Sequence, residues 1–377
     1  MAFMSSCRPN ISDSNKSKIT TYTADSITKE PQIQIDGTTV EIGSEPFIVA
    51  EMSGNHSNSL PNAIKLLKSC AQAGANAFKA QTYKANSITL QSTASDYMVR
   101  SGIWAGRSLY DLYSQGETPR EWLPVLKEVA DEEGITFFSS PFSPEDVTIL
   151  ENIDVKLYKV ASFELTYTQL LREIARTHKP VIFSTGLATL QEIQEAVDVL
   201  IEGGSGPIAI LKCTSTYPAD TGDLNLCTIP HLAKTFNVPI GFSDHTEGDS
   251  AAIAAVALGA TILEKHVKLD EDSKSVDSAF SLPVSRLHKY IQRANEAYFS
   301  IGKVQDGPTA NELANLRFRR SIVASRDIRE GETLTPDHIA IVRPDIGLAP
   351  KEEENVIGRV ARKAIPYSKG ISWDDLY

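Results

Sequence analysis

A (β/α)₈ barrel followed by a small β-rich domain is the fold class this sequence predicts, and three observations carry it. Eight short apolar runs alternate with helical stretches over about 250 residues, the usual size of one such barrel. The runs are too apolar to be half exposed, which implies parallel strands covered by helices. The turn after the first run reads SGNHSNS, which lacks the Gly-x-Gly that a doubly wound open sheet would need there.

The elements follow in order. Residues 1–35 are polar, rich in Ser and Thr, and without the apolar core of a signal peptide, so they read as a flexible tail. Residues 33–42 alternate apolar and polar around Asp36-Gly37, a hairpin signal that would cap one end of a barrel domain spanning 36–301. Strands are predicted at 47–53, 77–82, 136–141, 157–162, 180–186, 208–215, 239–242 and 260–267. Helices are predicted at 60–73, 119–133, 144–152, 167–177, 190–202, 250–258 and 284–301, the first stopped by Gly74. Between the sixth and seventh strands runs a looser link containing Pro218 and Pro230. The segment 83–117, with Trp104, Tyr110 and Tyr113, is too long for an ordinary connection and predicts a lid or binding loop. A polar linker at 302–318 precedes 319–377, whose β-like runs SIVAS, HIAIVR and GRVARKAI predict a second domain with little core of its own.

Composition narrows the partners. Asp and Glu number 48 against 37 Lys and Arg, a net charge of −11, which argues against nucleic acid or an anionic membrane surface. A local pocket of lysines can still attract a small anion. No apolar run approaches the ~18 residues of a membrane span. Cys7, Cys70, Cys213 and Cys227 have no paired metal spacing, and read as reduced thiols of a cytoplasmic protein.

A barrel builds its site at the carboxyl ends of its strands. Those ends carry Glu51; Lys79 and Gln81; Ser139 and Ser140; Lys159, Ser162 and Glu164; Ser184 and Thr185; Lys212, Ser215 and Tyr217; Ser243, Asp244 and His245; Glu264 and His266. For any one of them an internal salt bridge, such as Glu51 with Lys79, is the alternative reading; the ring as a whole predicts a site. Lysines with serine hydroxyls suit a phosphate and a carboxylate. Glu51 and Glu164 suit acid–base work if their environments set their pKa values apart. His245 and His266 end successive strands, where two imidazoles can hold a Lewis-acidic divalent metal. Together these groups suggest carbon–carbon bond formation between a phosphorylated acid and an aldehyde.

The ordered motifs EMSGNH, KAQTY, FFSSPF, YKVASFE, FSTGLAT, KCTSTYP, GFSDHT and LEKHVKL resemble the sialic acid synthase family. RSIVASRDIREGETL resembles that family's C-terminal antifreeze-like (SAF) domain, and SGIWAGRSLYDLYSQGETPREW is most similar to the pseudaminic acid branch. The resemblance implies condensation of phosphoenolpyruvate with an open-chain amino-sugar aldehyde to a nonulosonic acid. By motif it implies His245 and His266 as ligands of Mn²⁺, Co²⁺ or Mg²⁺. It implies Lys79, Ser140, Lys159, Ser162, Ser184, Ser215 and Ser243 as phosphoenolpyruvate contacts, although Ser215 stands where sialate synthases tend to have Asn. Gln81, Tyr217 and Asp277 fall at sugar contacts, and Arg320 at an arginine that reaches a partner's barrel, which implies a domain-swapped homodimer. Glu164 would handle the water proton, and Glu51 position the metal-bound water or the sugar hydroxyl. The rivals are N-acetylneuraminate or legionaminate synthesis, an aldolase acting on a sugar phosphate, and a non-catalytic glycan-binding barrel.

Overall fold

The computed structural model describes residues 31–272 and 274–377. Strands β1 (Gln32–Ile35) and β2 (Thr38–Glu41) form an antiparallel hairpin. Its turn residues Asp36 and Gly37 have φ of 48° and 85°, the left-handed pair that a two-residue hairpin matched to strand twist requires. The hairpin begins at Gln32, one residue before its expected start at Ile33, so residues 32–35 of the expected tail belong to it. Residues 1–30 of that tail lie outside the described residues.

Eight parallel strands follow: β3 (Phe47–Glu51), β4 (Ala77–Thr82), β5 (Thr136–Pro141), β6 (Tyr158–Val160), β7 (Val181–Ser184), β8 (Ile208–Cys213), β9 (Ile240–Asp244) and β10 (Ile262–Lys268). They pair in chain order, and β10 pairs with both β9 and β3, so the sheet closes. A two-residue strand β11 (Leu282–Pro283) adds parallel to the end of β10. Helices lie between the strands, and their ends are specified locally. Ser59 accepts from the Asn62 amide at the start of Leu60–Ala73, and Gly74 closes that helix at φ 94°. Thr189 and Glu192 form a reciprocal capping box on Leu190–Glu202.

The strands pack through both faces, because successive side chains alternate. One set, including Ile48, Ala50, Phe78, Phe137 and Phe183, packs with the helices. The other set, Val49, Ala77, Phe138, Leu157, Ile182, Leu211 and Ile262, fills the barrel and clusters with Ile33, Ile35 and Val40 of the hairpin. The hairpin thus seals the barrel interior, and the polar residues further along the same strands open at the other end. Gly241 on β9 lies where strands crowd: a Cβ there would sit 2.4 Å from the Ile262 carbonyl oxygen and 2.4 Å from Leu211 Cδ2. Gly241→Ala should cost about 2 kcal/mol of stability, read as a lower urea midpoint at unchanged slope.

From Lys303 a second compact unit begins. The expected linker carries a 3₁₀ helix, Ala310–Phe318, opened by a Thr309–Glu312 capping box. Strands β12 (Ser321–Ala324) and β13 (Ile339–Val342) pair antiparallel. The run GRVARKAI makes only isolated bridges, Thr333 with Val360 and Ile328 with Ile365 among them. The chain there turns at Gly331 and Gly358 before a ladder can extend. A small core of Ile322, Ile328, Leu334, Val356, Ile365 and Ile371 holds this unit together. Among the described residues no helix is long and apolar enough to cross a membrane.

Candidate active site

Strand parity decides which polar side chains share the mouth of the barrel. Counting in steps of two from the inward residues Val49, Ala77, Leu157, Ile182, Leu211 and Ile262 reaches Glu51, Lys79, Gln81, Lys159, Ser184, Cys213, Glu264 and His266. Residues of the opposite parity were counted into the ring from sequence but serve other contacts. Ser139 bonds Thr82 at 2.7 Å, Lys212 donates to the Cys213 carbonyl and Thr214 hydroxyl, and Asp244 pairs with Lys265 at 3.0 Å and accepts from Tyr290. These corrections share one cause: alternate residues of a strand face opposite sides.

A cavity of about 480 Å³ occupies the mouth. Its floor is a buried charge cluster. The Lys79 ammonium lies 3.1 Å from Glu51 and 3.3 Å from Glu264, and donates to Ser140 at 3.3 Å. Lys159 donates to Ser184 at 2.6 Å and to the Val160 carbonyl, and lies 4.0 Å from Glu264. Burial pushes Glu51 up to about 7 against the pull of Lys79. Burial also acts to raise Glu264, but Lys159 and Lys79 outweigh it and hold that carboxyl below its ordinary value. Burial lowers Lys159 to about 8; for Lys79 it works the same way, but Glu264 and Glu51 reverse the direction. The internal salt bridge between Glu51 and Lys79, the alternative to a role in the site, is therefore present, and it forms part of the cavity floor. It also means that the lysines are largely offset by carboxylates before any anion arrives.

Glu164 sits on a 3₁₀ turn, Ser162–Glu164, just past β6. Burial lifts its carboxyl to about 7 against Lys159, and its Oε2 is buried without a hydrogen-bond partner. Ser162 accepts from the Gly186 amide at 3.1 Å. A side chain at position 186 would fill this corner, since a Cβ there would lie 2.0 Å from Ser215 Oγ. Ser243 donates to Glu264 at 3.1 Å.

Two imidazoles form one wall. His245 and His266 have ring centroids 5.2 Å apart and nearly perpendicular planes. His245 Nδ1 lies 3.0 Å from the Thr214 carbonyl, which fixes it as the protonated nitrogen and leaves Nε2 with its lone pair. His266 Nδ1 is buried without a hydrogen-bond partner, and burial drives that ring well below its usual pKa, keeping it neutral. Burial acts to lower His245 as well, but Cys213 and the Thr214 carbonyl outweigh it and raise that ring above its usual pKa. Two imidazoles with unspent nitrogens fit a divalent cation, which binds their unprotonated forms. Among the described residues, no group of three or more His, Cys, Asp or Glu is arranged to hold one, so the imidazoles stand as a pair. Tyr217 stacks 4.4 Å from His245, and Phe280 lies 5.1 Å from His266.

Gln81 and Asp277 also line the cavity. Gln81 donates through its amide to Glu51 and to Ser53, both at 2.9 Å, and Ser53 donates to Asp277 at 2.6 Å. Both amide hydrogens of Gln81 are thereby used, and its carbonyl is left to accept.

Of the residues singled out from sequence, Lys79, Gln81, Lys159, Ser162, Glu164 and Ser184 line this one cavity, as do Ser215, Tyr217, Ser243, His245, His266 and Asp277. Glu51 and Ser140 are fully buried beneath it and act on it through Lys79 and Gln81. Arg320 belongs to the C-terminal unit, where it is exposed and donates to the Ile341 carbonyl. Sequence reasoning gave no individual role to Glu264, Cys213, Ser53 or Phe280, and placed Trp104 only within a lid or binding loop. Parity would have found the first two; the others sit on loops, where no periodicity marks them.

A closed parallel barrel with ammonium, carboxylate and imidazole groups at its C-terminal mouth defines a barrel enzyme of the kind that works through its strand-end loops. The chain belongs to the NeuB family, which matches residues 66–306, and it carries a SAF domain at 319–376. It is 41% identical over 87% of its length, and 96% of the relative's, to a pseudaminic acid synthase of Campylobacter jejuni. It is 36% identical to the pseudaminic acid synthase of Helicobacter pylori, over 88% of this chain and 98% of that one. Among solved structures, an N-acetylneuraminic acid synthetase from Leptospira borgpetersenii superposes with a TM-score of 0.68 at 29% identity, covering 77% of this chain and 96% of that chain.

Proposed function

We propose that this chain is a pseudaminic acid synthase. It condenses phosphoenolpyruvate with an open-chain 2,4-diacetamido-2,4,6-trideoxyhexose of the L-altrose type and releases phosphate by C–O cleavage. The observation that carries this reading is a single cavity lined by two lysines, a carboxyl with a pKa raised to about 7 and an imidazole pair, in a chain whose relatives bear that name.

Lys79 and Lys159, with the hydroxyls of Ser162, Ser184, Ser215 and Ser243, take the phosphate and carboxylate of phosphoenolpyruvate. Ser140 holds Lys79 from below. The Gln81 carbonyl accepts a sugar hydroxyl, Asp277 accepts another, and Tyr217 packs against the sugar. Glu51 is a positioning residue, orienting Gln81 and Lys79. Held by His245 and His266, a divalent cation (Mn²⁺, Co²⁺ or Mg²⁺) supplies Lewis-acid polarisation of the aldehyde.

C3 of phosphoenolpyruvate attacks the aldehyde carbon, the enol π pair forms the new C–C bond, and C2 becomes oxocarbenium-like. Water adds at C2 and passes a proton to Glu164, whose Oε2 has no other partner. The tetrahedral centre then expels phosphate as the C2–O bond breaks and C2 becomes a ketone. Of the water's two protons, one finishes on the former aldehyde oxygen and the other on phosphate. The fixed charges of Lys79, Lys159 and Glu264 stabilise the charge that moves through these steps.

The pH profile follows from two groups. Glu164 must be ionised to accept the proton and Lys159 charged to hold the anion, so kcat/KM should be bell-shaped with limbs near about 7 and about 8. Glu164→Gln should remove the acid limb from the residual activity. Stability moves the opposite way for Glu164. Its folded pKa lies above the unfolded value, so its favourable contribution is full below about 4.5 and is lost as pH rises through about 7. Glu164→Gln should therefore raise the melting temperature at pH 8 and leave it nearly unchanged at pH 4.5.

We assign Arg320 to the sugar site of a partner subunit in a domain-swapped homodimer of a cytoplasmic enzyme. Its exposure and the small core of its unit support this. Phosphate release with phosphoenolpyruvate and a panel of sugars tests the function. Turnover restricted to N-acetylmannosamine would favour N-acetylneuraminate synthesis, turnover restricted to the diastereomeric 2,4-diacetamido sugar would favour legionaminate, and no phosphate release with any sugar would favour the glycan-binding reading.

A further inference from the structure

The insertion between β4 and the helix Trp122–Glu133 is an ordered part of the cavity. It contains two helices, Ala85–Ile88 and Leu109–Gly116, which pack on each other. Between them the chain doubles back: Met98 bridges Ser108, and Val99 donates to and accepts from the 106–107 backbone. Trp104 Nε1 donates to the Val276 carbonyl at 2.8 Å, tying the insertion to the loop after β10. Glu117 closes its far end by accepting from Lys84 Nζ at 2.7 Å and from the Ala85 amide at 3.0 Å.

This arrangement presents four aliphatic side chains to the cavity: Ile88, Val99, Leu109 and Leu112. All four come from the insertion, whereas the lysines, imidazoles and serines come from strand ends. The insertion also brings Tyr83, Trp104 and Tyr113 to the cavity, and its four aliphatic side chains give that part of the lining its apolar character. An apolar group of a ligand gains by covering the aliphatic side, and a hydroxyl placed there would lose its hydrogen bonds to water.

We infer that Ile88, Val99, Leu109 and Leu112 form the subsite that selects an acceptor carrying a terminal methyl in place of a hydroxymethyl group. The inference rests on the synthase reading above and names the part of the same site that sets its substrate preference. An aliphatic wall rejects an added hydroxyl only moderately, so the intact chain should favour the trideoxy acceptor over its 6-hydroxy counterpart by about 10- to 100-fold in kcat/KM.

Two variants test the wall: Val99→Thr, which exchanges a methyl for a hydroxyl at nearly constant volume, and Leu109→Asn, which puts a carboxamide in place of the aliphatic group. Both are assayed for phosphate release with each acceptor at saturating phosphoenolpyruvate, alongside a melting curve. The expected result is a preference reduced about tenfold in Leu109→Asn and less in Val99→Thr, through a higher KM for the methyl-bearing acceptor and an unchanged KM for phosphoenolpyruvate. An unchanged ratio of the two acceptors in both variants, with folding retained, would overturn the subsite. So would a wild-type chain that uses both acceptors equally. Absence of turnover with every acceptor would instead sink the synthase reading itself.

Discussion

Lys79→Met should lose about 10³-fold in kcat/KM for phosphoenolpyruvate and several kcal/mol of stability, the larger combined effect of any single change considered. Lys79 is the one cation within 3.3 Å of both Glu51 and Glu264 among the described residues. Removing it leaves two carboxyls facing each other in a buried floor. Breaking such a pair typically costs about 3–5 kcal/mol, because the remaining charge has neither water nor a partner. Glu51 would respond by staying protonated, since burial already holds it at about 7 and Lys79 is what pulls it down. Adding Glu51→Gln to Lys79→Met should therefore recover much of the lost stability and none of the lost activity. Urea unfolding and steady-state kinetics on the two variants separate the roles. If the double variant is no more stable than the single one, the floor is not held by this charge balance.

His266→Ala should abolish cation-dependent turnover and weaken Mn²⁺ binding by at least about tenfold, with little change in melting temperature. The small stability effect follows from geometry: Nδ1 of His266 bonds nothing in the fold, and the ring is held by Phe280, Tyr217 and His245. Calorimetric titration with Mn²⁺ reads the site independently of catalysis. His245→Ala should show the same binding loss with a larger stability cost, since its Nδ1 anchors the Thr214 carbonyl. Full activity of His266→Ala in chelator-treated buffer would discard the metal assignment, and unchanged Mn²⁺ affinity would move the ion elsewhere.

The family relationship and the two-unit organisation could be read from the motifs, and most barrel strands fell within two residues of their predicted ends. Errors arose where a strand ended and polarity alone was used to guess direction. Lys212 and Asp244 looked like site residues because they are polar residues near strand ends. They bond a backbone carbonyl and Lys265 instead. Glu264 shows the converse: it was visible in the ring but received no role, yet it lies within 4.0 Å of both site lysines. The insertion gave only its length and aromatic content, and its aliphatic contribution to the cavity depends on how its two helices fold against each other.

What this sequence by itself determined is its secondary structure, its closed sheet and the chemical inventory at the strand ends. Apolar period, caps and turn residues act over a few positions and are legible one at a time. Only the tertiary structure decided which groups meet: that Glu264 is shared by Lys79 and Lys159, that Glu51 lies below the cavity rather than in it, and that two imidazoles 21 residues apart share a wall. The physical reason is that pairing across the barrel and pKa shifts by burial depend on distances between strands. Such distances exist only once the sheet has closed and the hairpin has shut its other end.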